Sequence, residues 1–379
     1  MALVLTEEQE MLRDAAKGWL ADNAPVSQLR KLRDTADADG FDRKSWKEMA
    51  EMGWAGVLAP EEHGGVDMGY VAAGLIAEEM GRTLTASPYL STAVVATTAL
   101  NKAGTQDQQA EWLPKIVSGD AIIALAIDEE RKHNPAKTAL KAERHGNGFK
   151  LNGAKTFVAD GHVADAYIVA ARTAGAPGEA DGLTLFLVNA KTNGIGAERT
   201  IMVDSRNSAE VKFDNVEVTA DAVLGEVDAG HGALELILNA GRAGLAAEMS
   251  GSAQECFERT SAYLAERKQF GQTIGAFQAL QHRAAHLYTE VELARSTVLK
   301  ALQVMDEDFD NAAINVSLAK AKAGQVALLA AQEGIQMHGG IGMTDEYEIG
   351  FFIKRVRAAG EMFGDANYHA DQLARLQGY

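Results

Sequence analysis

The chain has 379 residues, 47% of them apolar, with 36 basic against 53 acidic side chains and a formal net charge of −17. That length exceeds one ordinary core, so two or three packed units are expected. The acidic balance argues against nucleic acid or an anionic membrane surface as the main partner, and obliges any bound phosphate to find a local basic pocket.

The opening Met1-Ala2-Leu3-Val4-Leu5 lacks a basic start and a long apolar run, so neither a signal nor a transit peptide is indicated. No stretch approaches the ~20 apolar residues of a membrane span, and a cytoplasmic protein is expected. Thr6, with Gln9 three residues on, reads as a capping box opening a helix that Pro25 ends. Further helices are predicted over 41–52, 71–80, 93–103 and 106–117, with a tight loop at Ala59-Pro60-Glu61-Glu62-His63-Gly64-Gly65. At Gly119 the apolar period falls from about 3.6 to 2. Strands are predicted over 121–127, 148–151, 155–158, 166–171, 183–188, 211–213 and 216–219, with Asn152-Gly153 as a two-residue hairpin turn. The Ala- and Gly-rich segment 173–181 is the candidate mobile loop.

Beyond Gly230 the helical period returns. Leu245, Met249, Ala253, Cys256, Thr260 and Leu264 form one apolar stripe. The single cysteine thus reads as a buried structural thiol in a reducing compartment. Phe277, Leu280, Ala284, Leu287, Val291, Ala294, Val298, Ala301 and Met305 form a second stripe, as in a bundle helix. The expected fold is α+β and multi-domain: an N-terminal α-helical domain (1–118), a middle antiparallel β-barrel or sandwich domain (119–229) and a C-terminal four-helix-bundle domain (230–379).

Between the two stripes lies Arg267-Lys268-Gln269-Phe270-Gly271-Gln272-Thr273-Ile274, followed by Gln278. A guanidinium, an aromatic ring and an amide at a helix break can hold a phosphate and a flat ring system. This run resembles the Arg-Lys-x-Phe-Gly signature of the acyl-CoA dehydrogenase family, flavoproteins that desaturate acyl thioesters between Cα and Cβ. A second signature of that family, a Gln and a Gly-Gly-x-Gly run, is matched by Gln336-Met337-His338-Gly339-Gly340-Ile341-Gly342. The resemblance spans essentially the whole chain. It implies that Arg267, Phe270 and Gln278 lie against the diphosphate and adenosine half of FAD, and that Gln336, Gly339, Gly340 and Gly342 approach the same cofactor from a neighbouring subunit. It further implies an acyl-CoA substrate, an electron-transfer flavoprotein as electron acceptor, and a tetramer, either of one chain or mixed with a related dehydrogenase subunit.

The family's base is a glutamate in a Tyr-Glu-Gly-Thr context, and the matching stretch here is Met362-Phe363-Gly364-Asp365-Ala366. Gly364 stands where the glutamate belongs. The family's other location for the base, before the arginine matched by Arg242, holds Gly241. Asp365 is the nearest carboxylate, either a displaced base whose pKa desolvation would raise or a helix cap. The Gly364 backbone N–H would still serve an oxyanion, and Arg242 would face the acyl-CoA cleft. Phe157 matches an aromatic beside the flavin ring. The family's Gly-Ser loop is replaced by Asp128-Glu129-Glu130-Arg131-Lys132-His133-Asn134-Pro135, whose Arg131, Lys132 and His133 would either meet a CoA phosphate or form a solvated loop. The glycines at 241 and 364 suggest a wide acyl group. His282, His286 and Glu290 share a helix face at metal-like spacing, yet the resemblance implies no metal and none is proposed. Three functions follow: an FAD-dependent acyl-CoA dehydrogenase, a catalytically silent subunit that completes a partner's FAD site, or, third in order, a protein that only binds a thioester.

Overall fold

A computed structural model describes residues 3–379. Its contacts divide the chain into two compact units. One comprises the stretch ending at Lys31 together with Tyr70–Thr85 and Arg242–Tyr379; the other comprises Leu32–Gly69 and Ala86–Gly241. The first 118 residues are therefore shared between both units.

The helices of the amino-terminal part are α1 (Glu7–Asn23), α2 (Val26–Asp34), α3 (Arg43–Glu51), α4 (Gly69–Thr83), α5 (Thr97–Ala103) and α6 (Gln106–Val117). Thr6 caps α1 through a reciprocal exchange with Gln9, and Thr105 does the same for α6 with Gln108. The residues 89–96, expected to be α-helical from 93 onwards, widen into a buried π-helical stretch. There Thr92 Oγ1 both accepts from the Ile123 N–H at 3.1 Å and donates to its carbonyl at 3.3 Å. The hydroxyl thus closes an edge of the sheet that no strand covers.

The β domain comprises β1 (Ile123–Ala126), β2 (Lys141–His145), β3 (Gly148–Ala159), β4 (Ala166–Arg172), β5 (Leu183–Asn189), β6 (Ile195–Ile201), β7 (Asn207–Val218) and β8 (Val223–Leu224). They form one sheet in the order β6-β7-β3-β2-β4-β5-β8, with β1 paired on β4. Most pairs are antiparallel, as expected, but the sheet is mixed: β1 and β4 run parallel, and β2 meets β4 in parallel at Lys141 and Arg172. Inward residues such as Leu151, Tyr167, Val169, Phe186, Val211 and Phe213 make one core.

Asn152-Gly153 is not a hairpin turn. The two strands predicted around it are one strand, β3, and the two predicted over 211–219 are one strand, β7. β7 carries an extra residue opposite Leu151/Gly153, and Asn152 Oδ1 accepts from the bulged Asn215 N–H at 2.8 Å. The Asn-Gly pair serves a bulge because its side chain supplies the acceptor that the ladder loses there.

The remaining helices are α7 (Gly230–Glu266), α8 (Gln278–Glu307), α9 (Ala313–His338), α10 (Ile349–Glu361) and α11 (Ala366–Leu376). Both predicted stripes are buried along most of their length, Leu245 to Leu264 in α7 and Leu287 to Met305 in α8. Helix α9 runs in the middle, touching α8, α10 and α11. Helix α4 crosses α7 through two glycines. A Cβ on Gly81 would strike the Glu248 carbonyl, and one on Gly251 the Glu78 carbonyl. Among the described residues no helix is long and apolar enough to cross a membrane.

Candidate functional site

The stretch expected to carry the catalytic base is the turn between α10 and α11. Phe363 (φ 58°) and Gly364 (φ 106°) both adopt left-handed backbone. A Cβ at 364 would run into the Tyr368 ring and come within 2.9 Å of His369 Nε2. The space that a side chain at 364 would need is therefore already filled.

Four side chains weld this turn in place. Arg242 donates from Nε to the Phe363 carbonyl and from Nη2 to the Tyr368 hydroxyl, each at 3.3 Å. Its guanidinium lies 5.7 Å from the Tyr368 ring centre. His369 Nε2 donates to the same Phe363 carbonyl at 3.0 Å, which leaves Nδ1 to accept from the Ser317 hydroxyl at 3.4 Å. Lys320, fully buried on α9, donates to the carbonyls of Ala359 (3.3 Å), Gly360 (3.1 Å) and Gly364 (2.8 Å). It thereby satisfies acceptors at the carboxyl end of α10, where the helix dipole favours a cation. Burial, and secondarily the charge of Arg242, pull the Lys320 amine down to about 7.

Several expectations change here. Asp365 is the N-cap of α11, its carboxylate accepting from the Tyr368 N–H at 2.7 Å. The Gly364 N–H, expected to face an oxyanion, donates to the Glu361 carbonyl at 3.2 Å because the turn closes on itself. Arg242, expected to face the acyl-CoA cleft, is buried with its guanidinium on the Phe363 carbonyl and the Tyr368 hydroxyl. Gly364 opens no room for a wide acyl group, since Tyr368 occupies it.

The bend after α7 is a two-strand ribbon, β9 (Lys268–Gln269) and β10 (Gln272–Thr273), turned at Phe270 and Gly271. Both turn residues have positive φ, 55° and 80°, as a tight hairpin of this hand requires. Phe270 is 90% exposed, its ring meeting only the edge of Phe277 at 6.1 Å among the aromatic contacts. The Arg267 side chain is exposed, as is Gln278 at the start of α8. No side chain caps α8, so its first N–H groups are available to an anion.

Gln336 is exposed near the end of α9, and Gly339–Met343 follow as a short 3-10 turn. Gly339 needs its positive φ of 64° to end the helix, and a Cβ on Gly342 would meet the Ile335 carbonyl at 2.7 Å. Gly340 differs from both. Its backbone is ordinary, and a Cβ there would meet nothing within 4 Å. The fold itself leaves room for a side chain at 340. An exposed guanidinium, amides, an uncapped helix start and a bare ribbon fit the diphosphate and adenosine of a dinucleotide.

In the β domain, Phe157 sits at the second register shift of β3, held at φ 53° and 44% exposed. Its side chain is not part of the β-domain core. The loop before it is fixed from within. His133 Nδ1 faces the Asp128 carboxylate at 3.0 Å, and Glu129 pairs with the buried Lys155 at 2.6 Å while accepting from the N–H groups of Ala139 and Leu140. His133 is therefore turned inwards and not towards a phosphate, whereas Arg131 and Lys132 are exposed. Glu290 is paired with Lys322 at 2.5 Å, and among the described residues no cluster of three metal-type ligands occurs.

Tyr368, His369 and Lys320 went unforeseen. Lys320 did leave a trace, as a charge on the apolar face of Val316, Ala319, Ala323 and Ala327. The helical, β and helical domains, with an exposed bend and a bare glycine ribbon, define the class of three-domain flavoprotein dehydrogenases. The chain matches the N-terminal domain of acyl-CoA dehydrogenase over residues 6–120, the middle domain over 130–216 and the C-terminal domain over 228–377. It is 30% identical to the short/branched chain specific acyl-CoA dehydrogenase of Rattus norvegicus, covering 98% of this chain and 85% of the relative. It is 32% identical to the isovaleryl-CoA dehydrogenase of Pongo abelii, covering 92% and 84%. The ChsE4-ChsE5 complex from Mycobacterium tuberculosis shares its fold with a TM-score of 0.90 at 26% identity, covering 100% of both chains. The chain belongs to the acyl-CoA dehydrogenase family of flavoprotein oxidoreductases.

Proposed function

We propose that this chain is a subunit of an FAD-dependent acyl-CoA dehydrogenase that desaturates an acyl-CoA thioester between Cα and Cβ, and that the carboxylate base belongs to a related partner subunit. The observation that carries the second half is the filled space at Gly364: Tyr368 stands where a base would project, and the neighbouring Asp365 caps α11. When bound, FAD supplies the two-electron acceptor for the hydride that leaves Cβ. This chain's part is to hold it, with Arg267, Phe270 and Gln278 on the bend, Gln336, Gly339, Gly340 and Gly342 on the ribbon, and Phe157 beside the ring. The assembly is then a heterotetramer that passes its electrons to an electron-transfer flavoprotein. A cytoplasmic setting agrees with the single, buried and reduced Cys256.

The test compares the chain purified alone with the chain co-expressed beside a related dehydrogenase subunit. The reading expects flavin near unit stoichiometry, and bleaching by an acyl-CoA under anaerobic mixing, only in the mixed assembly. Asp365→Asn should leave both the bleaching rate and the stability unchanged, because asparagine caps a helix as well as aspartate does. A yellow chain on its own that acyl-CoA bleaches, and that Asp365→Asn silences, would overturn the partner reading in favour of a self-sufficient enzyme.

A further inference from the structure

The glycine ribbon is open at its front and tied at its rear. Gly339, Gly340, Ile341 and Met343 are exposed. Behind them Arg30 Nη1 donates to the Asp345 carbonyl at 2.6 Å and to its carboxylate at 3.0 Å, and Arg259 pairs with Glu348 at 2.6 Å. Within the ribbon the Thr344 hydroxyl donates to the Ile341 carbonyl at 2.8 Å.

Between these ties lies a buried histidine that the proposed reaction does not use. His338 Nδ1 stands 2.6 Å from the Gly334 carbonyl, one turn back on α9. A carbonyl only accepts, so Nδ1 carries the proton and Nε2 is the acceptor. The partner of Nε2 is the Tyr347 hydroxyl at 3.0 Å, which donates to it across the whole ribbon. The imidazole also meets two tilted aromatic rings, 4.4 Å from Tyr263 and 4.7 Å from Tyr347, which lie 6.4 Å from each other. Burial first, and Arg259 after it, hold His338 below its ordinary pKa and so keep this neutral arrangement. Glu255, Glu266 and Glu348 are the acids of the neighbourhood, of which Glu255 and Glu348 are themselves paired with Arg259.

We propose that His338 and Tyr347 are positioning residues for the cofactor, a hydrogen bond that fixes residues 339–342 at the distance where bare backbone meets the diphosphate and adenosine half of FAD. This rests on the reading of the ribbon as a flavin-binding element. The ring contacts alone keep His338 and Tyr347 near each other. The hydroxyl-to-imidazole bond is what sets the depth of the loop between them, because it joins its two ends.

The decisive variant is Tyr347→Phe, which removes one oxygen and keeps the ring. The experiment measures the FAD dissociation constant from flavin fluorescence quenching, and the thermal midpoint without flavin, on the full chain together with its co-expressed partner. The expected result is FAD binding weakened about five- to tenfold, the loss of one buried hydrogen bond, with the flavin-free midpoint within about 2 °C of wild type. His338→Leu should weaken binding further, and His338→Gln, which keeps a donor and an acceptor, should recover most of it. Wild-type affinity in Tyr347→Phe, or losses in affinity that merely track losses in midpoint, would overturn the positioning role. A wild-type assembly that binds no FAD at all would instead overturn the cofactor reading beneath it.

Discussion

At the scale of single residues, the turn 362–365 is held by side chains that reach it from three helices. Three basic side chains converge on four backbone carbonyls there, and none of that requires a side chain at 364. Lys320 is the member whose cost can be read. Its amine titrates near 10.5 in the unfolded chain and about 7 in the fold. Between those values the unfolded chain holds a proton that the folded one releases, so stability rises with pH across that window and is flat below it. We expect the stability of wild type relative to Lys320→Met to climb by roughly 1 kcal/mol per pH unit between pH 7.5 and 9.5, as urea unfolding would register. A difference independent of pH would mean that the buried amine keeps its proton throughout. The sequence pointed to Gly364 and Asp365 because they fall inside a motif. It could not point to Tyr368, whose ring reaches back over the turn only once α11 is capped and packed.

At the scale of elements, the close passage of α4 across α7 gives a sharp contrast between glycines. Gly81 and Gly251 each face a carbonyl oxygen that cannot move without unwinding a helix. Changing either to alanine should cost at least about 2 kcal/mol by overpacking. Gly324, inside α9, has only the Met249 terminal methyl at 4.0 Å. Gly324→Ala should therefore stabilise by about 0.5–1 kcal/mol through helix propensity and a less flexible unfolded chain. Chemical denaturation of the three variants tests both signs together. Helices were the legible elements: the predicted 106–117 coincides with α6, whose capping box and apolar period agree. Strands were not. β6 is largely exposed and polar, so no alternation announces it, and β3 and β7 each looked like two strands because their bulges mimic turns.

At the scale of the whole molecule, the surfaces assigned to FAD stand open: Phe270 is almost fully exposed, and Arg267, Gln336 and Gly340 are exposed with it. A ligand that binds only the folded state stabilises it by mass action. FAD at about a hundred times its dissociation constant should add about 2.7 kcal/mol to the mixed assembly, seen as a rise of a few degrees in its calorimetric midpoint. The chain by itself should show no such rise; an equal shift in both samples would mean that the chain closes the site alone. The three-domain order was readable because the apolar period changes at Gly119 and again at Gly230. Which helices pack with which was not, because periodicity names a buried face and never its neighbour.

The chain leaves one unit for the other four times, at 31/32, 69/70, 85/86 and 241/242. During synthesis α1 and α4 must therefore wait, emerged but unmatched, until the last 138 residues of the 379 have left the ribosome. A nascent polypeptide stopped after the β domain would hold one unit nearly whole and the other as sticky fragments. Premature termination in this gene is thus a hazard of aggregation more than of a shortened but serviceable product.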